Sequence, residues 1–114
     1  MAVFVGDFHT VEDIIEAFDI SSDALREATI LFASYLQGYY DGSALVLFER
    51  GGKLYEVNGS HCSCYGLEDQ WEPEETSMAA IRMRWHSREV RKQLNEVLDQ
   101  YEATVLEQEK RADA

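Results

Sequence analysis

The sequence predicts a single α+β domain. In it a small antiparallel sheet, built on a hairpin at residues 43–58, packs against a long C-terminal amphipathic helix. Three observations carry this reading. The runs SALVLFER (43–50) and KLYEVN (53–58) flank Gly51-Gly52, and two glycines between apolar runs suit a type I′ turn, whose central residues both need positive φ. Val90, Leu94, Val97, Leu98, Tyr101 and Val105 recur at helical spacing over residues 88–108. The chain of 114 residues is 46% hydrophobic, a composition and length that support one core.

Taken in order, residues 3–5 are apolar and fit a short strand or an N-terminal packing segment. Thr10 stands three residues before Asp13, the spacing of a capping box. Val11, Ile14, Ile15 and Phe18 follow on one helical face, so a helix is expected over 11–19. Ser21, Ser22 and Asp23 signal a break, and residues 24–28 are helix-prone. Thr29 to Tyr35 is rich in β-branched and aromatic residues and is read as a strand at 29–36. Leu25, Ala28, Leu31, Phe32 and Tyr35 also fit a helical face. Pairing across Gly51-Gly52 sets Phe48 opposite Tyr55 and Val46 opposite Val57. One face of the hairpin then carries Ala44, Val46, Phe48, Tyr55 and Val57 and should meet the core. Residues 59–76 form a long connection, or a short strand followed by a loop, and Pro73 ends regular structure there. Thr76 or Ser77 can cap a helix containing Met78 to Ile81, ahead of the long helix at 88–108.

Charge is unevenly distributed. The net charge is -12, from 22 acidic and 10 basic residues. Seven acids and one base lie in residues 1–27, and five acids and no base in residues 61–80. Such a field repels nucleic acid and anionic membranes and favours a basic partner or solubility. No direct nucleic-acid binding is expected. No apolar run reaches the roughly 20 residues that span a bilayer, and the start lacks the features of a signal peptide, so the cytoplasm is the expected location. Arg82, Arg84, Arg88, Arg91 and Lys92 form the one basic cluster. It is read as closing onto the acidic loop, with a phosphate or nucleic-acid contact surface as the alternative.

The stretch Tyr55 to Thr76 holds both cysteines and the only proline. His61, Cys62 and Cys64 are candidate zinc ligands, since an extended chain points Cys62 and Cys64 the same way. His9, His86 or a second subunit would have to complete the four. Packed thiols are the simpler reading. Cysteine nucleophile chemistry needs a base, and His61 points away from Cys62 in a strand. No Gly-rich phosphate loop, H-E-x-x-H or G-x-S-x-G motif is present. Asp69, Trp71, Glu72, Glu74 and Glu75 are the candidate protein-binding residues. Trp71 serves equally as a core anchor or an interface residue, and Tyr39 and Tyr40 raise the same question at their turn.

The segment from Gly52 through Tyr55-Glu56-Val57-Asn58-Gly59-Ser60-His61-Cys62-Ser63-Cys64-Tyr65-Gly66-Leu67-Glu68, with Gln70-Trp71-Glu72-Pro73-Glu74-Glu75-Thr76, resembles one in small uncharacterised proteins of tailed bacteriophages and prophages. With SALVLFER the resemblance covers roughly a third of the chain. It implies a setting, a phage accessory protein in the cytoplasm of the bacterial host, and carries over no catalytic residue. The resulting expectation is a non-enzymatic protein that binds a host protein with a basic surface, such as a defence nuclease, and inhibits it. A zinc-binding structural module and a small cysteine-dependent enzyme are the alternatives. A homodimer is a further expectation, because a small sheet leaves edges to pair.

Overall fold

The computed structural model describes residues 2–38, 41–62, 66–84 and 86–112, with side chains as far as residue 107. Tyr39, Tyr40 and Cys64 lie outside the described residues, and so do the expectations placed on them. The chain forms two compact units, one ending at Ser77 and one beginning at Met78.

The first unit is a five-stranded sheet in the order β1-β2-β3-β4-β5, with one helix, α1. The strands are β1 (Val3–Gly6), β2 (Thr29–Gln37), β3 (Asp41–Arg50), β4 (Lys53–Cys62) and β5 (Glu74–Thr76); α1 spans Val11–Phe18. The α+β class, the mostly antiparallel sheet and a short strand at residues 3–5 follow the sequence reading, and the pairing of β1 and the strand β5 extend it. β1 pairs with β2 in parallel, which the intervening α1 crossover makes possible. β5 pairs with β4 and sets Glu74 opposite Glu56, Glu75 opposite Tyr55 and Thr76 opposite Leu54. It begins directly after Pro73, at the sheet edge, where a proline at the strand's entrance costs no ladder hydrogen bond.

The capping box forms at α1. Thr10 accepts from the Asp13 amide, and the Asp13 carboxylate accepts from the Thr10 amide. Asp13 also accepts from the His9 amide at 2.8 Å. Asp19 closes the helix in the left-handed region at φ 53, a conformation that a short polar side chain tolerates. Ser22–Leu25 makes a single 3-10 turn, shorter than the helix-prone 24–28 suggested. The turn's exit is held by Arg50, whose Nη2 donates to the Ala24 carbonyl at 2.7 Å and Nε to that of Arg26 at 3.1 Å.

Residues 29–36 do form a strand. The register shifts between Ile30 and Phe32, so Leu31 is an extra residue. That bulge explains the double reading. Ile30, Ala33 and Tyr35 all meet the core, and the bulge replaces period two with a spacing that a helix also satisfies. At the hairpin, Phe48 pairs with Tyr55 and Val46 with Val57, as expected. Gly51 and Gly52 take φ of 60° and 80°, where any side chain would be strained.

The core of this unit lies on the face that carries Ala44, Val46, Phe48 and Val57, with Ile14 and Phe18 of α1, Phe8 and Leu67 packed against them. Phe48 stacks on Tyr55 with ring centroids 5.4 Å apart.

The second unit is helical: α2 (Met78–Met83) and α3 (Arg88–Ala112). Along α3 Val90, Leu94, Val97 and Leu98 are buried, so the first two-thirds of the expected stripe is the apolar face. Ser87 caps α3, its hydroxyl accepting from the Val90 amide. Arg82 joins the two helices: its Nη2 lies 2.7 Å from Asp99 Oδ1 and 3.8 Å from Glu102 Oε2. Among the described residues, no helix is long and apolar enough to cross a membrane.

Candidate functional site

The acidic segment is built onto the sheet by three anchors. Trp71 stacks on Phe48 at 6.0 Å with the rings 8° from parallel, and meets Phe18 edge-on at 5.2 Å. Leu67 is fully buried. The Gln70 side chain imitates a strand: its Oε1 accepts from the Ser60 amide at 2.9 Å and its Nε2 donates to the Ser60 carbonyl at 2.8 Å. The same Nε2 reaches the Gly66 carbonyl at 3.0 Å. Between Leu67 and Gln70 the chain turns tightly, with the Gln70 amide donating to the Leu67 carbonyl. Asp69 sits in that turn at φ 67, which Asp adopts more readily than bulkier residues.

These anchors divide the candidate protein-binding residues. Asp69, Glu72 and Glu74 line one cleft of about 340 Å³ together with Glu56, Asn58 and Gln70. Among the described residues its walls carry four carboxylates, two amides and no basic side chain. Glu56 is buried, and its Oε1 accepts from Asn58 Nδ2 at 2.7 Å. Glu56 and Glu74 are directly opposed across β4 and β5. Glu75, one residue on, turns to the other face, where its Oε1 lies 4.0 Å from Lys53 Nζ. Trp71 is half-buried and acts as an anchor beneath the segment. Sequence reasoning missed Glu56, Asn58 and Gln70. The acid at position 56 and amide at position 58 share a strand face by period two, a signal that becomes useful only once β5 is known to lie beside them.

The residues weighed as metal ligands are placed differently. His61 and Cys62 are neighbours at the end of β4. The His61 ring crosses β3 at Gly42, its register partner, and brings Nε2 within 2.6 Å of the Tyr35 hydroxyl. An added Cβ on Gly42 would lie 2.5 Å from that nitrogen, so only glycine leaves room for the ring. Nδ1 lies 2.9 Å from the Cys62 carbonyl. A carbonyl only accepts, so Nδ1 carries the proton; in the neutral ring Nε2 then accepts from Tyr35. Burial first, and then the charges of Asp7 and Glu68, hold the Tyr35 hydroxyl's pKa above its ordinary value. Cys62 is exposed. His86 Nε2 lies 2.9 Å from the Ile81 carbonyl, in the second unit. Among the described residues no group of three or more His, Cys, Asp or Glu side chains is placed to hold a metal ion.

A larger cleft of about 770 Å³ adjoins the Tyr35–His61 pair and is lined in part by Asp41, Ser43, Ser60, Cys62 and Glu68. Glu68 is held below the usual carboxylate range by its own backbone amide and that of Gly66, with a smaller contribution from the charge of His61. Its ionised form is thus favoured, which adds negative charge to this end of the sheet. The arrangement supplies hydrogen-bond acceptors and negative potential. No protein-family model, curated protein or solved structure matches the chain.

Proposed function

We propose that the protein is a non-enzymatic phage accessory protein that binds a basic surface of a host protein through the cleft that presents Asp69, Glu72 and Glu74. The observation that carries this reading is the concentration of Asp69, Glu72 and Glu74 in one cleft with no basic side chain among the described residues of its walls. An inserted guanidinium or ammonium group is attracted by the neighbouring carboxylates of Asp69, Glu72 and Glu74. The anchoring by Trp71 and Gln70 supports the same reading, because a pre-ordered surface loses less entropy on binding. The net charge of -12 adds long-range attraction for a basic partner and speeds its encounter. A defence nuclease suits such a surface, since its nucleic-acid groove is basic and an acidic cleft copies the charge of the substrate. The resemblance of residues 52–76 to phage proteins supports the setting.

An arginine-rich peptide is the simplest probe. Backbone amide shifts should move together and saturate at Asn58, Asp69, Gln70, Glu72 and Glu74, with weaker affinity at higher salt. Asp69→Asn with Glu72→Gln and Glu74→Gln should abolish the response, whereas Glu75→Gln should not. An unchanged response in the triple variant would refute the cleft as the binding surface.

A further inference from the structure

We infer that the second unit carries a separate binding site for a compact dianionic group, a phosphate monoester borne by a small molecule. The site is a cleft of about 560 Å³ lined by His86, Arg88, Arg91, Lys92 and Asn95. Positions 88, 91, 92 and 95 fall at i, i+3, i+4 and i+7, so they share one face of α3. That face is not the apolar one, which carries Val90, Leu94, Val97 and Leu98.

Two features separate this cluster from an ordinary solvated helix face. First, its cations make no ion pair among the described residues. Arg82, on the preceding helix, is paired with Asp99 and Glu102. By contrast, among the described residues no carboxylate lies within ion-pair distance of Arg88, Arg91 or Lys92. Second, the charges stand where helix electrostatics disfavours them. Arg88–Arg91 and Arg88–Lys92 are like-charge pairs at i,i+3 and i,i+4, and all three lie at the start of α3, whose dipole is positive there. A local conflict of this kind in an otherwise acid-rich chain is explained by an anion that resolves it. The donors come from side chains, because Ser87 already takes the Val90 and Arg91 amides.

The two polar neighbours are already hydrogen-bonded within the second unit. Arg82 Nη1 donates to Asn95 Oδ1 at 3.4 Å, which leaves the Asn95 amide nitrogen free of that contact. The Ile81 carbonyl takes the Nε2 proton of His86 and so fixes that ring's tautomer. Two guanidinium forks and an ammonium group then match the oxygens of one phosphate. A compact ligand is favoured over nucleic acid, since the net charge of -12 repels a polyanion along its whole length. This site stands independently of the acidic cleft.

The test is titration of the full chain with inorganic phosphate at constant ionic strength, followed by amide and arginine side-chain NMR shifts. A parallel titration uses a short single-stranded oligonucleotide. Shifts confined to residues 86–95 that saturate with phosphate, and that chloride does not reproduce, are the expected result. Arg91→Gln should weaken binding about tenfold, and Arg88→Gln with Arg91→Gln and Lys92→Gln should abolish it. Glutamine keeps helix propensity at these exposed positions, and Lys92→Arg should retain binding. Non-saturating shifts that chloride matches would overturn the site. Tighter binding of the oligonucleotide than of phosphate would overturn the commitment to a small ligand.

Discussion

Removing the Trp71 ring is the perturbation that most directly joins fold to site. The indole stacks on Phe48 and meets Phe18 edge-on, and no other aromatic ring of the acidic segment reaches this core among the described residues. Truncating a fully buried Trp costs about 3–5 kcal/mol. Trp71 is half-buried, so Trp71→Ala should destabilise the first unit by about 2–3 kcal/mol. Trp71→Phe keeps a ring over Phe48 and should recover about half of that, in line with the roughly 0.5–1.5 kcal/mol of an aromatic pair. The assay is urea unfolding followed by far-UV circular dichroism, where the midpoint should fall by about 1 M at unchanged slope. Hydrogen exchange supplies the local readout. The Ser60 amide, which donates to Gln70 Oε1, should lose protection beyond the global change as the segment lifts. A loss below about 0.5 kcal/mol in Trp71→Ala, the level of an ordinary surface change, would refute the anchoring argument.

Two further predictions concern the sheet face and α1. Gly42→Ala should displace the His61 ring, because the new Cβ would lie 2.5 Å from Nε2. Loss of the Tyr35–His61 hydrogen bond and local crowding should lower stability by about 1–2 kcal/mol, seen as a fall in Tm. A neutral result would show that the ring does not occupy that space. The Asp13 carboxyl is held below its ordinary pKa chiefly by the His9 amide and then by that of Thr10. Its contribution to stability is therefore present above the unfolded carboxylate pKa, about 3.9, and is lost as pH falls through the lower folded value. Asp13→Asn should flatten the acid limb of the stability profile, and Thr10→Ala should cost about 1 kcal/mol at neutral pH. An acid limb unchanged in Asp13→Asn would contradict the capping assignment.

Much of the fold was legible because it rests on local rules. The Thr10–Asp13 box, the Gly51-Gly52 turn with its register, and the α3 stripe each depend on residues close in sequence. β5 was not legible. Glu74-Glu75-Thr76 has poor strand composition and forms a strand only because β4 offers an edge. The bulge at Leu31 blurred β2 for a related reason: one extra residue erases the alternation that identifies a strand. The same limits govern the site. Asp69, Glu72 and Glu74 stood out by charge density, but their grouping with Glu56 and Asn58 depends on strand pairing across the sheet. Gln70 gave no signal, since an amide that pairs with a strand's backbone looks like any loop glutamine. The partners of Arg82 were likewise not legible. It bonds Asp99 and Glu102 of α3, a pairing set by the return of α3 past α2.

The central claim is that the acidic cleft is a binding surface for a basic host protein. Its most direct test is retention of proteins from a bacterial lysate on three immobilised forms: the natural chain, the Asp69→Asn, Glu72→Gln, Glu74→Gln variant, and Glu75→Gln. Retained proteins are identified by mass spectrometry at low and high salt. The account predicts one dominant basic protein on the natural chain and on Glu75→Gln, released by salt and missing from the triple variant. Equal retention of that protein by the triple variant would contradict it.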